Sequence, residues 1–328
     1  MSLSNEADAY AMATEIAWLN GAWISSGDLS IPVGDAGFVL GATVTEQLRT
    51  FGGRVFLANL HAARFRDSLA CAGIDPGLPL ETIFAAAATV ASHNHALGVL
   101  QDDLGVIVFA TPGNLPSQHQ GRASQPRVAI HSFPLAFSTW ANAYRNGAAL
   151  RSVSICQVPD TCWPLQMKCR SRMHYVLADA MARSLEPAAR AVLCHADGRV
   201  SETSTANIAI VRRGTIITPP STDALAGVSL RYLKQLSASL GISWQEHSLR
   251  SEDLASADEI LLTSTPSCLL PATRLDGRPI GLGQPGPIAE QLLAAWSSSV
   301  GVDIVRQAFE AAQPTVPSVS PVPTARLA

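Results

Sequence analysis

Lysine and excess positive charge are both scarce in this chain of 328 residues. Only two of its 23 cationic residues are lysines, Lys168 and Lys234, so any chemistry that needs an amine nucleophile has two candidates. The net charge of −3 leaves no basic excess for binding a phosphate backbone, so we expect no nucleic-acid partner. No apolar run approaches the roughly 20 residues of a membrane-spanning helix, so we expect no membrane partner either.

Cysteine pairs and targeting signals are also missing. The six cysteines include no CxxC pair, and the polar start MSLSNEADAY is unlike a secretory signal, so we expect free thiols and a cytoplasmic protein. His93 and His95 have no nearby ligand set of cysteines or carboxylates. This pattern predicts solvated histidines and no metal site.

Turn signals and hydrophobic periodicity predict an α+β fold. Asn20–Gly21 between two apolar runs predicts a hairpin, and helical spacing follows over 59–74 and 78–96. Further along, helices are predicted over 173–185 and from 227 to a C-cap at Gly241, on either side of a run of strands. We predict four segments, which are a small N-terminal domain at 1–137, a linker at 138–147, a larger C-terminal domain at 148–312 and a disordered tail at 313–328.

Lys168 is the stronger candidate for an amine nucleophile. It follows apolar residues in PLQMKCRSRMHYVLA, directly before a predicted helix. Desolvation lowers the pKa of an amine, and the neutral amine attacks an aldehyde to form a Schiff base. The alternative is a lysine at the rim of a helix N-terminus, held by its apolar stem. Lys234 lies on the solvent face of a predicted helix, which indicates no chemistry.

Glu202 is a candidate for binding a cationic group. It follows the Asp197–Gly198 turn among small hydroxyl residues. A carboxylate held inward there needs a cationic partner, and a protonated pyridine nitrogen is one such partner. The alternative is an ordinary surface charge.

A second group of residues is suited to a phosphate. Gly227, Val228 and Ser229 stand at a predicted helix start, where free N–H groups and the helix dipole favour an anion. Thr265 offers a hydroxyl, and Arg64 offers a charge-assisted contact. The alternatives are an ordinary helix start and a solvated arginine.

The order of the segments resembles class IV pyridoxal-phosphate aminotransferases, the fold type IV family. The resemblance rests on VGDAGFVLGATVTEQLRTFGGRVFLANLHAARFRDSL, then Lys168, then DGRVSETSTANIAIV, TPPSTDALAGVSL and ADEILLTSTPSCLLPATRLDG. It extends from about Trp18 to about Gln307. The family includes branched-chain and D-amino-acid aminotransferases, (R)-amine transaminases and aminodeoxychorismate lyase.

This resemblance implies pyridoxal 5'-phosphate as the cofactor, held between two domains of a homodimer. It implies that Lys168 binds the cofactor covalently, that Glu202 bonds the pyridine nitrogen and that Leu225 packs on the ring. The implied phosphate site consists of the positions singled out above, Arg64, Gly227, Val228, Ser229 and Thr265. The implied reaction is ping-pong transfer of an amino group between an amino acid or amine and a 2-keto acid, with Lys168 as general base.

The substrate pocket departs from the family pattern. Thr45 replaces an aromatic residue, and Ile107 stands near where several members carry an arginine for the substrate carboxylate. Arg49, Arg170 and Arg172 are additional arginines, and an arginine fork binds a carboxylate bidentately. We hypothesise that one of these three binds the substrate carboxylate. The alternative for Arg170 and Arg172 is pairing with surface acids.

Two other functions stay open. The first is a lyase acting on aminodeoxychorismate, in which Lys168 protonates a methylene after elimination and pyruvate leaves without a keto-acid acceptor. The second is a catalytically silent protein that binds pyridoxal phosphate or a partner. The sequence does not determine the amino donor or its stereochemistry, because the residues that diverge are those of the substrate pocket.

Overall fold

The computed structural model describes residues 13–98, 103–121 and 124–313, so nearly all of the predicted tail lies outside the described residues. The strands are β1 Ile16–Leu19, β2 Ala22–Ser25, β3 Val44–Phe51, β4 Arg54–Val55, β5 Leu104–Thr111, β6 Arg127–Pro134, β7 Ala148–Ser152, β8 Arg190–Cys194, β9 Val200–Thr203, β10 Asn207–Arg212, β11 Thr215–Thr218, β12 Trp244–Glu246, β13 Glu259–Ser264, β14 Cys268–Leu275 and β15 Arg278–Pro279. The helices are α1 Ala36–Val39, α2 Ala58–Ala72, α3 Leu80–Ala96, α4 Ala141–Asn146, α5 Met173–Leu185, α6 Val228–Ser239, α7 Ser251–Ala255, α8 Pro287–Val300 and α9 Ile304–Ala311.

The first half forms a six-stranded antiparallel sheet in the order β2-β1-β6-β5-β3-β4. The predicted hairpin is confirmed, with Asn20 and Gly21 both at positive φ, as a tight two-residue turn requires. Helices α2 and α3 contribute Phe65 and Ile83 to a core shared with Leu48 of β3. Both faces of β3 are almost fully buried, which makes its polar side chains candidates for a site.

The second half forms a nine-stranded mixed sheet in the order β12-β11-β10-β13-β14-β7-β8-β9, with β15 on β14. Strand β9 also pairs with β10, where Glu202 lies opposite Asn207. The strands β10, β13, β14, β7, β8 and β9 are therefore hydrogen-bonded in a closed ring. Helices α6 and α8 bury Leu233 and Trp296 in the core of this half. Helix α5 packs through Ala178 and Ala182 in a separate small cluster that also contains residues of β7 and β8.

The segment predicted as a linker contains helix α4. Trp140 and Tyr144 are buried in the core of the second half, and the Tyr144 hydroxyl donates to the carbonyl of Ser267 at 2.7 Å. Aromatic burial at these positions therefore orders the segment, and the domain boundaries themselves remain a prediction. The prediction of a solvated His93 is wrong, because its ring is 4% exposed and its Nε2 lies 3.1 Å from the carbonyl of Thr14.

Backbone hydrogen bonds join the two halves beside Lys168. The N–H of Thr45 donates to the carbonyl of Lys168 at 3.0 Å, and the N–H of Arg170 donates to the carbonyl of Thr43 at 2.9 Å. The α+β prediction is confirmed. In the described ranges, no helix has the length and apolar character needed to cross a membrane.

Candidate active site

Lys168 lies on a backbone segment held from two sides. Its carbonyl accepts from Thr45 of β3, and its N–H donates to the Ser68 hydroxyl of α2 at 3.0 Å. Shielding from water lowers the pKa of the Lys168 amine to about 8, and the positive charge of Arg64 lowers it in the same direction. A larger fraction of this amine is therefore neutral near physiological pH than for an ordinary lysine.

One pocket brings together every residue that the sequence predicts for the cofactor. Lys168 and Glu202 line it, together with the predicted ring contact Leu225 and the segment that begins α6. Its lining includes all eight predicted positions, Arg64, Lys168, Glu202, Leu225, Gly227, Val228, Ser229 and Thr265. Residues from α2, from the segment before α5, and from the β9, α6 and β13 regions thus meet at one place.

Arg64 is held by a carboxylate that the sequence analysis misses. Its Nε donates to Oε1 of Glu46 at 2.8 Å, its Nη2 donates to Oε2 at 2.7 Å, and its Nη1 donates to the carbonyl of Ala226 at 3.0 Å. His61 Nδ1 also lies 2.7 Å from Glu46 Oε2. Burial alone raises the pKa of Glu46, but Arg64 and His61 outweigh it and lower that pKa to about 2. Glu46 is therefore an anion that fixes Arg64 at the pocket wall.

Glu202 is 7% exposed and receives three hydrogen bonds. The Tyr175 hydroxyl donates to Oε1 at 2.7 Å, Gln157 Nε2 donates to Oε1 at 3.3 Å, and Asn207 Nδ2 donates to Oε2 at 3.1 Å. Burial raises the pKa of Glu202, and the hydrogen bond from Tyr175 opposes this rise. The charges of Lys168 and Arg172 also lower this pKa, but neither residue forms a salt bridge with Glu202 in the described ranges. A cationic ligand group next to Glu202 therefore suits the carboxylate.

The start of α6 shows why glycine stands at position 227. A Cβ on Gly227 would lie 1.8 Å from Asn207 Oδ1, closer than any real contact. The same Asn207 donates through Nδ2 to the carbonyl of Leu225 at 2.8 Å and to Glu202. Asn207 therefore ties the helix start to Glu202, and Ser229 in the first turn is buried in the pocket lining.

The donors of this pocket fit pyridoxal phosphate. Thr263 also lines the pocket, and its buried Oγ1 has no hydrogen-bond partner in the described part of the chain. The free N–H groups of a helix N-terminus and nearby hydroxyls suit a phosphate. Lys168 suits the aldehyde, and Glu202 suits a protonated ring nitrogen.

A second, larger cavity of about 760 Å³ adjoins Lys168, with Thr45, Arg170 and Arg172 in its lining. Arg183 and Arg190 line it too, and Asp179 is the single carboxylate among its described lining residues. Asp179 Oδ2 accepts from the Ser204 hydroxyl at 2.6 Å and lies 3.9 Å from Arg183. We call this the arginine-lined cavity. Its unneutralised positive charge suits an anionic ligand.

Arg172 lines both the active-site pocket and the arginine-lined cavity. Its Nη2 donates to the carbonyl of Ser204, and its guanidinium lies 4.6 Å from the ring centroid of Tyr175. Burial lowers the pKa of Arg170, and the neighbouring charge of Arg172 adds to this. Neither arginine forms a salt bridge in the described ranges, so no acid in that part of the chain is their partner.

Arg49 is not part of either cavity, which corrects its place among the carboxylate candidates. It is 1% exposed, and its Nη1 donates to the carbonyl of Pro266 at 2.9 Å. Its Nη2 donates to Gln307 Oε1 at 3.1 Å. Arg49 therefore joins β3 to the β13–β14 turn and to α9, and no donor is left facing a substrate.

Four residues that contact the predicted site residues were not predicted from the sequence, and they differ in how much sequence signal they carry. Asn207 lies five residues after Glu202 and pairs with it across the β9–β10 connection, a register that the predicted run of strands does not specify. Glu46 stands among other polar residues of β3, VTEQLRTF, so only its burial in the structure distinguishes it. Gln157 and Tyr175 carry no spacing signal, since they lie 45 and 27 residues from Glu202.

Comparison with known proteins defines the class. The Amino-transferase class IV family profile matches residues 43–275, most of the chain. The chain belongs to the class IV aminotransferase family.

Individual relatives agree with this assignment. The chain is 27% identical to a D-alanine aminotransferase of Bacillus licheniformis over 286 residues, which cover 86% of this chain and 95% of that protein. It is 26% identical to a D-alanine aminotransferase of Staphylococcus aureus, over 84% of this chain and 94% of the relative.

Solved structures share the fold. The branched-chain amino acid aminotransferase of Escherichia coli superposes with a TM-score of 0.80 at 22% identity, covering 88% of this chain and 94% of that one. The branched-chain aminotransferase of Thermoproteus uzoniensis, solved with norvaline, gives 0.77 at 25% identity over 88% of this chain and 95% of that one.

Proposed function

We propose that this protein is a pyridoxal-phosphate-dependent aminotransferase that transfers an amino group between an amino acid or amine and a 2-keto acid by a ping-pong mechanism. The observation that carries the proposal is the position of Lys168, whose pKa is about 8, in one pocket with Glu202 and the start of α6. Names of relatives support the reaction class, since D-alanine aminotransferases align over nearly the whole chain.

Each group in the pocket has a defined task in this proposal. Pyridoxal phosphate bound in this pocket would supply an electron sink for negative charge at the substrate α-carbon. The Lys168 Nζ would take the proton from that carbon and hold it. Glu202 keeps the ring nitrogen protonated, and the Tyr175 and Asn207 hydrogen bonds keep Glu202 in place.

The phosphate is held by the first turn of α6 in this proposal. Val228 and Ser229 contribute backbone N–H groups and a hydroxyl, and Thr265 contributes a second hydroxyl. Arg64 contributes positive charge from a position fixed by Glu46. Leu225 would pack on the ring of a cofactor bound in this pocket.

Borohydride reduction of the cofactor-loaded protein, followed by peptide mapping, tests the proposal. The label is expected on the peptide that contains Lys168 and is expected to disappear in Lys168→Ala but not in Lys234→Ala. Lys234 is a matched control, because its amine is exposed and pairs with Glu246 at 2.8 Å. A label found elsewhere contradicts the assignment of Lys168.

An absorbance assay separates the aminotransferase from its alternatives. Pyridoxal phosphate joined to a lysine absorbs at long wavelength, and we call this absorbance the long-wavelength band. We expect at least one of a panel of L- and D-amino acids and (R)-amines to remove this band, and a 2-keto acid to restore it. Pyruvate release without a keto-acid acceptor indicates the lyase instead. A band that no donor changes indicates the catalytically silent protein.

The arginine-lined cavity supports a substrate with two anionic groups. Arg170 and Arg172, beside Lys168, take the carboxylate near the reacting carbon, and Thr45 completes that wall. Arg183 and Arg190 lie along the same cavity and take a second, distal anionic group. We therefore expect donors or acceptors with two carboxylates to be used better than those with one.

Kinetics on paired substrates test this preference. D- and L-glutamate are compared with D- and L-alanine, and 2-oxoglutarate is compared with pyruvate. Arg183→Gln and Arg190→Gln are expected to lower kcat/KM for the dicarboxylic substrates about tenfold while leaving the monocarboxylic ones unchanged, as for one lost charge-assisted contact. Equal losses for both classes contradict a role in binding the distal group.

A homodimer is also part of the proposal. Phe38, Leu40, Met173 and Val176 are exposed apolar residues on two neighbouring segments, which the Ser171 hydroxyl joins by donating to the carbonyl of Gly41 at 2.9 Å. We call this group the apolar face. Exposed apolar surface of this kind is typical of an interface, and we assign a second copy of the chain to it. Six free cysteines support the proposal of a cytoplasmic protein.

A further inference from the structure

A third cavity, of about 430 Å³, lies on the far side of the segment that begins α6. We call it the rear cavity. It lies between α2, which contributes Leu60 and Ala63, and the second half of the chain, which contributes Pro220, Leu230 and Trp244. Its size falls in the range of small-molecule sites, and the aminotransferase reaction proposed above makes no use of it.

The rear cavity is next to the active-site pocket but distinct from it. Leu225, Gly227 and Val228 line both, so this segment forms a shared wall. Glu202 and Ser229 line the active-site pocket but not the rear cavity, and Lys168 lines the other two cavities but not this one. Ala63 and Trp244 line only the rear cavity. A molecule in the rear cavity would therefore contact the back of the phosphate-binding segment without reaching Lys168.

Unpaired charge at the rear cavity defines the sign of its ligand. Its other charged residues have partners, since Lys234 pairs with Glu246 at 2.8 Å, Asp67 pairs with Arg66 at 3.0 Å and Arg64 pairs with Glu46. Arg231 lines the cavity from the exposed face of α6 and has no ion-pair partner within the described ranges. One unmatched cation at an otherwise paired site suits a single negative charge.

The walls define the rest of the ligand. Leu60, Pro220, Leu230 and the ring of Trp244 present apolar surface. The Trp244 Nε1 is buried and has no hydrogen-bond partner among the described residues, so what Trp244 offers to the open cavity is the apolar part of its ring. An apolar body with at least the size of one aromatic ring matches these walls.

We propose that the rear cavity is an accessory site for a small apolar monocarboxylate, with the carboxylate at Arg231 and the apolar body against Trp244. The proposal rests on the cavity and its charges and does not depend on the aminotransferase reaction. Carboxylates are also expected in the arginine-lined cavity, so the test needs a readout that is local to the rear cavity.

The indole N–H signal of Trp244 in the ¹⁵N-labelled holoenzyme, assigned with Trp244→Phe, supplies that readout. We expect 3-phenylpropionate to shift this signal saturably, and the neutral 3-phenylpropionamide to need at least tenfold higher concentration. Arg231→Gln is expected to raise the midpoint for the acid to that of the amide. Ala63→Leu, which fills the cavity, is expected to abolish the shift with both probes.

Two further variants serve as matched controls. Arg278→Gln removes an exposed arginine outside the cavities and is expected to leave the midpoint unchanged. Arg170→Gln alters the arginine-lined cavity and is also expected to leave it unchanged. The proposal is overturned if neither probe moves the signal, if acid and amide act equally, or if Arg170→Gln abolishes the shift while Ala63→Leu preserves it. None of these measurements uses catalysis, so they are independent of a failure of the proposed function.

Discussion

The Lys168 amine predicts how cofactor loading depends on pH. Only the neutral amine attacks an aldehyde, and the pKa of Lys168 is lowered from 10.5 to about 8. We expect the rate at which cofactor-free protein forms the long-wavelength absorbance band to rise with pH, with a midpoint near 8. Stopped-flow absorbance measures this rate. A midpoint near that of free lysine contradicts the shielding of the amine, and Lys234→Arg should not move it.

The same lowered pKa affects stability with a definite sign. Between about 8 and 10.5 the unfolded chain holds a proton on this lysine that the folded protein does not. The contribution of Lys168 to the free energy of unfolding therefore increases as pH rises through this window.

Tyr175 is predicted to be a positioning residue that acts through Glu202. Tyr175→Phe removes the 2.7 Å hydrogen bond that helps to lower the pKa of Glu202. We expect kcat to fall about tenfold, because hydrogen bonds to charged groups contribute roughly 1.5–3 kcal/mol. The acidic limb of the kcat–pH profile should also move to higher pH, a shift that a purely structural role does not produce.

Tyr232→Phe is the matched control for this change. It removes a hydroxyl that donates to Ser299 at 2.7 Å, away from the active-site pocket. Its kcat and pH profile are expected to stay as in the parent protein. If Tyr175→Phe leaves the acidic limb in place, Tyr175 does not act on the ionisation of Glu202.

The buried ion pair that joins β3 to α2 is predicted to be important for stability. Glu46→Gln leaves Arg64 without its carboxylate, and breaking a buried pair costs roughly 3–5 kcal/mol. Urea unfolding measures the loss. Glu310→Gln, in the exposed Arg306–Glu310 pair at 3.9 Å, is the control and is expected to change stability by less than about 1 kcal/mol. Similar losses in both variants contradict the structural role of Glu46.

Acid sensitivity follows from the same pair. The pKa of Glu46 is lowered from 4.5 to about 2, so its contribution to stability is present above about 4.5. The contribution is lost as pH falls through about 2. Below that range the carboxyl is neutral in both the folded and unfolded states.

The start of α6 is predicted to tolerate no side chain at position 227. Gly227→Ala places a methyl group 1.8 Å from Asn207 Oδ1, and overpacking of this kind costs typically about 1–3 kcal/mol. We expect the dissociation constant of pyridoxal phosphate to rise about tenfold, because Asn207 also supports Leu225 and Glu202. Equilibrium titration measures it. Gly27→Ala, with no atom closer than 4.0 Å to the new Cβ, is the control.

Local patterns predicted several of these elements well. Helix α5 has the bounds that its spacing predicts, and the Asn20–Gly21 hairpin forms as its turn residues require. The sequence predicts a linker at 138–147, where the structure has helix α4. Burial of Trp140 and Tyr144 against the second half is a tertiary effect that no local pattern reveals.

Assembly of two copies through the apolar face is expected to depend on Val176. This residue is 58% exposed, and an aspartate there opposes burial of the face in a dimer interface. Sedimentation velocity is expected to show a monomer for Val176→Asp and a dimer for the parent protein. Leu282→Asp, at a residue that is 89% exposed but outside the apolar face, is expected to remain a dimer. A dimer in both variants contradicts this interface.

The order of motifs along the chain identified Lys168, Glu202 and the start of α6 as parts of one site, and it identified the fold class. These inferences succeed because the chemistry of an amine, a carboxylate or a helix N-terminus belongs to the group itself and can be read from the sequence. The positions of the arginines could not be predicted in this way. Arg49 is bound to Pro266 and Gln307, whereas Arg170 and Arg172 line the cavity beside Lys168. That division depends on which surfaces the two sheets bring together across 217 and 258 residues of chain, and contacts so distant leave no periodic trace in the sequence.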